Sequence, residues 1–107
     1  LYKQSMVNLG IDTIEYLNNI RVDLYVMGIY NIDDQIGISV PSISEALVKR
    51  KMISISTEIM GLVTLDKLGT VSNQIIAPAN VLTYLVTEDI NLNISKLYAK
   101  QKIIVVQ

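Results

Sequence analysis

Apolar residues recur with two different periods in the first quarter of the chain. Between residues 6 and 27 they return every three or four positions, as at Ile14 and Leu17, which is typical of a helix with one buried face. Residues 21–30 also alternate between apolar and other residues, which is typical of a strand. We predict a helix that breaks at Gly28, with a strand over residues 21–30 as the alternative.

A helix start is encoded more sharply in the middle of the chain. Ser42 and Glu45 have the S-x-x-E spacing of a capping box, in which each side chain bonds a free backbone donor. Pro41 suits the first helical turn, and apolar residues follow at i, i+3 and i+4 from Ile43. The pattern predicts a short helix with small polar residues exposed near its start and the basic residues 49–51 at its end.

Later segments show both the helical and the strand-like spacing of apolar residues. Residues 52–57 alternate apolar and polar side chains and residues 59–65 do so less regularly, which predicts a β-hairpin. Residues 71–77 have a helical pattern, which Pro78 breaks because proline lacks a backbone donor, and the apolar stripe continues over residues 81–86.

Composition narrows the class of protein. The chain has 107 residues, of which 50% are hydrophobic and 18% charged, so it can form one globular domain. The net charge of −1 argues against a coat that binds nucleic acid through phosphate neutralisation alone. No apolar run approaches the roughly 18 residues of a membrane span, and no signal-peptide pattern opens the chain. We therefore expect a cytoplasmic protein that does not contact a membrane.

The residues offer no catalytic arrangement. Histidine and cysteine are absent, so no Ser-His or Cys-His pair can form. Tyr98 and Lys102 have the spacing of a short-chain dehydrogenase pair, but the five glycines form no nucleotide-binding loop. We predict that the protein is not an enzyme.

Residues 38–47, Ile-Ser-Val-Pro-Ser-Ile-Ser-Glu-Ala-Leu, resemble the turn and recognition helix of winged helix-turn-helix regulators. The resemblance is closest to the metal-dependent repressor family of the diphtheria toxin repressor, the iron-dependent repressors and the manganese transport regulator. Residues 13–20 are similar to the first helix of that family, residues 61–69 to its second wing strand, and residues 82–98 to its dimerisation segment.

This resemblance implies a fold that is mainly α with a small β-hairpin. A winged helix-turn-helix domain would cover residues 1–72, and part of a helical dimerisation region would cover residues 73–107. Residues 31–36 would form the positioning helix, with Asn31 as its N-cap.

The resemblance also implies a DNA-binding surface. The recognition helix and its turn would face base edges or the adjacent backbone with Ser39, Pro41, Ser42, Ser44 and Glu45. Serine hydroxyls fit several base edges, and Glu45 can accept from a cytosine amine. The cations Lys49, Arg50 and Lys51 would lie near phosphate. The alternative for these three is a solvated helix end, where cations complement the helix dipole.

Dimer contacts and metal ligands follow from the same alignment. The dimerisation stripe would be Val81, Leu82, Leu85, Val86 and Leu97. The family senses Fe(II) or Mn(II), but this chain places Lys102 and aliphatic residues at the primary ligand positions near its end, and only Glu15 matches. We therefore predict no metal site and no cofactor from these residues.

We predict a repressor-like transcriptional regulator that binds a palindromic operator in double-stranded DNA as a homodimer. Two alternatives stay open from the sequence. The β-branched and alternating stretches also fit a β-rich structural or assembly subunit of a virus or filament. The second alternative is a winged-helix domain that binds proteins and does not bind DNA.

Overall fold

The computed structural model describes residues 15–88 and 92–106. The strands are β1 (Val22–Gly28), β2 (Asn31–Asp33), β3 (Gly37–Val40), β4 (Ser56–Val63), β5 (Gln74–Ala77), β6 (Tyr84–Thr87) and β7 (Ile104–Val106). Helix α1 spans Ile43–Ile55 and helix α2 spans Leu92–Ala99, with short 3-10 turns at Leu65–Lys67 and Ala79–Val81. Residues 15–17 are also helical. None of the helices in these ranges combines the length and the apolar character that a bilayer crossing requires.

Within the described residues the strands form two sheets. The larger one has the order β1-β4-β6-β7, and every neighbouring pair in it is parallel. The smaller one has the order β2-β3-β5 and is antiparallel. Parallel neighbours require crossover connections, because a tight turn cannot join them. The fold is therefore α/β, and the prediction of a mainly α winged helix-turn-helix fold with a helical dimerisation region is wrong.

Strand β1 replaces the end of the first predicted helix. Its residues pair with β4 from Val22 opposite Ser56 to Gly28 opposite Leu62. The alternation over residues 21–30 therefore indicated the correct element, and the helix predicted through residue 27 is wrong in this part. Residues 15–17 are helical as predicted, and residues 6–14 of that prediction lie outside the described residues.

Helix α1 begins where the capping residues predicted. The Ser42 hydroxyl accepts a hydrogen bond from the Glu45 backbone N–H at 3.4 Å, which makes Ser42 the N-cap. Pro41 precedes this cap and is not the first helical residue. The helix continues to Ile55, so residues 52–55 are its last turn and do not form the predicted hairpin strand. The helix is followed by strand β4, which pairs with the parallel strands β1 and β6 and does not form a hairpin with residues 52–55.

Of the remaining segments predicted as helical, α2 is a helix and the others form strands and turns. Residues 31–36 form β2 and a turn in which the Asp33 carboxylate accepts the backbone N–H groups of Gln35 and Ile36. Strand β5 occupies the second half of the helix that was predicted over residues 71–77. Strand β6 begins within the apolar stripe over residues 81–86, which was predicted to be helical. The sequence after α2 forms strand β7.

The two faces of the parallel sheet differ in burial. One face packs into the core with alternate residues such as Met27, Ile59 and Leu85, which are at most 4% exposed. The opposite face is open and mostly apolar, because large apolar side chains are exposed there in β1, β4 and β7. These exposed side chains are Leu24, Val26, Leu62, Ile104 and Val106. This face also carries Glu58, whose carboxylate accepts a hydrogen bond from the Tyr84 hydroxyl at 3.3 Å.

Strand pairing joins both sides of the predicted domain boundary between residues 72 and 73. β3 pairs with β5, and β4 pairs with β6. Buried residues from the two sheets and from α1 belong to one hydrophobic cluster. The described residues on the two sides of that boundary therefore share one core.

Candidate functional site

A cleft of about 520 Å³ lies at the carboxyl edge of the parallel sheet. β1, β4 and β6 are parallel, so their carboxyl ends meet at this edge, which is where open α/β sheets bind ligands. The cleft is lined by the last residues of these strands and by the segments that follow them. The lining residues are Gly28, Ile29, Tyr30, Leu62, Val63, Thr64, Lys67, Val86, Thr87 and Glu88.

A lysine supplies positive charge to the cleft. The Lys67 ammonium lies 4.6 Å from the centroid of the Tyr30 ring, a distance at which the ring face attracts the cation. Tyr30 follows β1 and Lys67 ends the 3-10 turn after β4. The contact therefore joins the segments that follow two neighbouring strands. It keeps a cation at the cleft, where an anionic group of a ligand would find it.

A buried hydroxyl lacks a partner at the same edge. Thr87 ends β6 and is 3% exposed, and its Oγ1 has no hydrogen-bond partner among the described residues. A buried hydroxyl without a partner costs about 1–3 kcal/mol, so such groups are rare unless something else satisfies them. Thr87 also lines the cleft, so this unpartnered hydroxyl belongs to a residue of the cleft wall.

The turn after β4 is held by its own polar groups. The Thr64 hydroxyl bonds the Asp66 carboxylate and lowers its pKa, and the neighbouring Lys67 charge acts in the same direction. Backbone N–H groups of Lys67 and Leu68 donate to the carbonyls of Thr64 and Leu65 at 3.0 and 3.2 Å. The turn thus gives Lys67 a defined backbone position beside the cleft.

Residues 1–89 match the family model of the DeoR C-terminal sensor domain. The chain belongs to this family. No curated protein matches the sequence significantly. The family is a sensor domain of transcription regulators and is not enzymatic, so the prediction that the chain is not an enzyme is confirmed. The sequence-based prediction of a transcription regulator is confirmed at this general level, but the matching family is the DeoR sensor and not the metal-dependent repressors.

In this sensor domain the residues predicted to read DNA bases lie around the start of α1. Ser39 lies in β3 and is fully buried, and its hydroxyl accepts the backbone N–H of Ser72 at 2.8 Å. Ser42 caps the helix and shares a 3.0 Å hydrogen bond with Ser44. Pro41 and Glu45 are exposed. Ser39 is therefore enclosed by its own chain and presents no surface to a base.

Two of the three cations predicted to lie near phosphate bond to the chain itself. Lys49 donates to the Gly28 carbonyl at 2.7 Å, and Arg50 donates to the Ile75 carbonyl at 2.5 Å. Burial lowers the pKa of Lys49, and the nearby Glu45 carboxylate partly opposes this shift. Lys51 follows them in the same helix and is half-buried. Contact of these three with DNA stays a prediction.

The residues predicted for dimerisation do not share one surface. Leu82 and Leu85 are at most 3% exposed and lie in the core. Val81 packs partly against that core, and Leu97 is exposed on α2. Val86 pairs with Leu62 in the parallel sheet, and since neighbouring partners point the same way, it lies on the open sheet face.

The positions aligned with metal ligands are similarly dispersed. Glu15 lies ahead of β1, while Lys102 follows α2 with a positive φ of 64°. Within residues 15–88 and 92–106 no three or more Asp, Glu, His or Cys side chains form a group that could hold a metal ion.

Sequence reasoning missed the cleft residues Tyr30, Lys67 and Thr87. Each follows or ends an apolar segment, and each would have been a candidate if those segments had been assigned to parallel strands. Polar residues at the ends of buried strands or within a few positions after them are the signal, because the carboxyl ends of parallel strands meet at one edge.

Proposed function

We propose that this chain is the effector-sensing domain of a DeoR-type transcription regulator and that the effector binds in the cleft at the carboxyl ends of β1, β4 and β6. The observation that carries the proposal is this cleft, with the Lys67 cation and the unpartnered Thr87 hydroxyl beside it. The family supports the regulatory role, because its description is that of a sensor domain.

The chemistry of the lining residues favours a small organic effector with an anionic group. Lys67 attracts a negative charge and repels a metal cation, while hydroxyls of Thr64 and Thr87 can bond polar groups of the effector. The apolar residues Ile29, Val63 and Val86 also line the cleft. Carboxylates and phosphate esters of about the size of the cleft fit this combination.

Effector binding would then change how the regulator binds its operator. We propose a palindromic operator and a homodimer, as the sequence analysis predicted. The open apolar face of the parallel sheet supports association, because parallel sheets are normally covered on both faces. Sedimentation of the wild type and of the Val26→Lys variant tests the dimer: dissociation caused by the lysine supports this face, and an unchanged dimer places the contact elsewhere.

A thermal-shift panel of small carboxylates, phosphate esters and neutral polyols tests the cleft. A true effector at one hundred times its Kd stabilises the fold by about 2.7 kcal/mol. We expect stabilisation by an anionic compound and its loss in Lys67→Gln. Lys100→Gln removes an exposed lysine that does not line the cleft and should keep the shift. Equal loss in both variants, or no stabilising compound in the panel, would refute the proposed site.

A further inference from the structure

The Asn31 side chain bonds two residues of the segment that follows Lys67. Its Nδ2 donates to the Thr70 hydroxyl at 2.7 Å, and its Oδ1 accepts a short hydrogen bond from the Ser72 hydroxyl. Asn31 is 7% exposed and comes directly after Tyr30, whose ring lies against the Lys67 ammonium. A buried amide therefore lies beside the tyrosine and bonds the segment that begins at the lysine.

The Thr70 hydroxyl carries this connection back to Lys67. It donates to the Lys67 backbone carbonyl at 2.6 Å while accepting from Asn31. Backbone bonds reinforce the same junction, because the N–H groups of Gly69 and Thr70 both donate to the Ile32 carbonyl, at 2.7 and 3.3 Å. A chain of hydrogen bonds thus runs from Asn31 through Thr70 to the backbone of the cleft lysine.

We propose that Asn31 is a positioning residue for the cleft, because its amide fixes the Lys67–Ser72 segment against β2 and thereby holds the Lys67 ammonium over the Tyr30 ring. The proposal rests on the proposed function for its relevance to ligand binding. The positioning itself is a property of the free protein.

An asparagine suits this place because its amide donates on one side and accepts on the other. An aspartate has no N–H to donate to Thr70, and an aliphatic residue could serve neither partner. The groups it satisfies are partly buried, so their loss is not fully replaced by water. Asn31→Asp keeps the shape and the Ser72 bond but removes the donor to Thr70.

The experiment follows the Lys67 ε-methylene signal by ¹H–¹³C NMR in ligand-free protein that carries ¹³C-labelled lysine. Lys67→Gln identifies the signal by its absence. Tyr30→Leu gives the position of the signal without the aromatic ring, because protons held over a ring face are shifted upfield. In Asn31→Asp and in Thr70→Val we expect the signal to lose most of its upfield displacement and to approach its position in Tyr30→Leu.

Two controls separate positioning from general destabilisation. Thr70→Ser keeps the hydroxyl and should keep the displaced signal. Ser56→Ala removes a part-buried hydroxyl that donates to the Met52 carbonyl at the end of α1, away from the cleft, and should leave the signal in place. If Asn31→Asp does not fold, the comparison of Thr70→Val with Thr70→Ser decides the question alone.

A Lys67 signal that stays fully displaced in the folded donor-loss variants overturns the proposal, and so does an equal change in Ser56→Ala. Titration with inorganic phosphate tests the ligand-binding arm separately. Weaker binding by about tenfold in Thr70→Val, with Thr70→Ser like the wild type, supports positioning for ligand binding. If the wild type binds no phosphate and no compound of the panel while the Lys67 signal still responds, the proposed function fails and the positioning role stands.

Discussion

The Lys49 ammonium bonds the backbone carbonyl of Gly28 across 2.7 Å. This contact fastens helix α1 to the carboxyl end of β1, where the cleft begins. Burial of the lysine lowers its pKa, so part of the benefit of the hydrogen bond is spent on desolvation. The side chain that the sequence analysis assigned to phosphate therefore contributes to the architecture of the cleft.

Lys49→Met should lower the free energy of unfolding by about 1 kcal/mol, because methionine keeps the apolar stem but cannot donate to Gly28. Urea denaturation of the two proteins measures this difference. Lys51→Met is the matched control, since Lys51 is a half-buried neighbour in the same helix. A similar decrease in the free energy of unfolding in the two variants would show that the hydrogen bond to Gly28 adds no measurable stability.

Thr87→Val should change stability and ligand binding in opposite directions. Valine has nearly the same shape and removes a buried hydroxyl that has no partner within the described residues, so the free energy of unfolding should rise by about 1 kcal/mol. If an effector bonds this hydroxyl, its affinity should fall about tenfold. Denaturation and calorimetric titration measure the two effects, with Thr57→Val on an exposed position of β4 as the control. A loss of stability in Thr87→Val contradicts this account.

Gly37→Ala should destabilise the protein by about 2–3 kcal/mol. Gly37 has a φ of +109°, which side chains rarely adopt, and an added Cβ would collide with the Ala77 carbonyl of the paired strand. Gly28→Ala is the control, because among the described residues no atom beyond its chain neighbours lies within 4 Å of the Cβ it would add. The shift of the thermal midpoint should be large for the first variant and small for the second. Comparable shifts would mean that the first position of β3 tolerates a side chain.

Stability should fall between pH 10 and about 12 because of Tyr98. Burial raises its pKa to about 12, and the Asp34 and Asp33 carboxylates act in the same direction. The unfolded tyrosine loses its proton near pH 10 and the folded one only near pH 12, so in this window the unfolded state binds fewer protons and gains stability as the pH rises. Below pH 10 both states are protonated and the residue adds no pH dependence.

Urea denaturation of the wild type and Tyr98→Phe at several values between pH 9 and 12 measures this effect. The wild type should lose stability more steeply than the variant. Lys49 acts in the opposite direction, because its lowered pKa lets the folded state release a proton first, but it is present in both proteins and cancels in their difference. Parallel stability curves over the window would contradict the raised pKa.

Local chemistry allowed the start of α1 to be predicted. The Ser42 cap depends on residues within one helical turn, so the sequence contains all the information that places it. Gly37 likewise adopts a positive φ at the start of β3, a conformation that a residue without a Cβ reaches easily. These features need no knowledge of what lies elsewhere in the chain.

Pairing between distant segments could not be predicted in this way. Leu82, Leu85 and Val86 have helical spacing, yet Leu82 follows a 3-10 turn and the other two lie in β6. The period over such a short stretch does not separate a strand from a helix, and the partners of β6 lie in β4 and β7. The resemblance to a helical family favours a helix for this stretch. The cleft cannot be predicted from local patterns, because it exists only once parallel strands are aligned.

The order of the parallel strands has a consequence for the rate of folding. Val22 meets Ser56 and Tyr84 meets Ile104, so each pairing must wait until a long intervening stretch has closed. No hairpin can seed such a sheet, and domains dominated by non-local contacts fold slowly. We expect α1 to form early, because a helix needs only local contacts. The carboxyl edge of the sheet, with its ligand cleft, should form last.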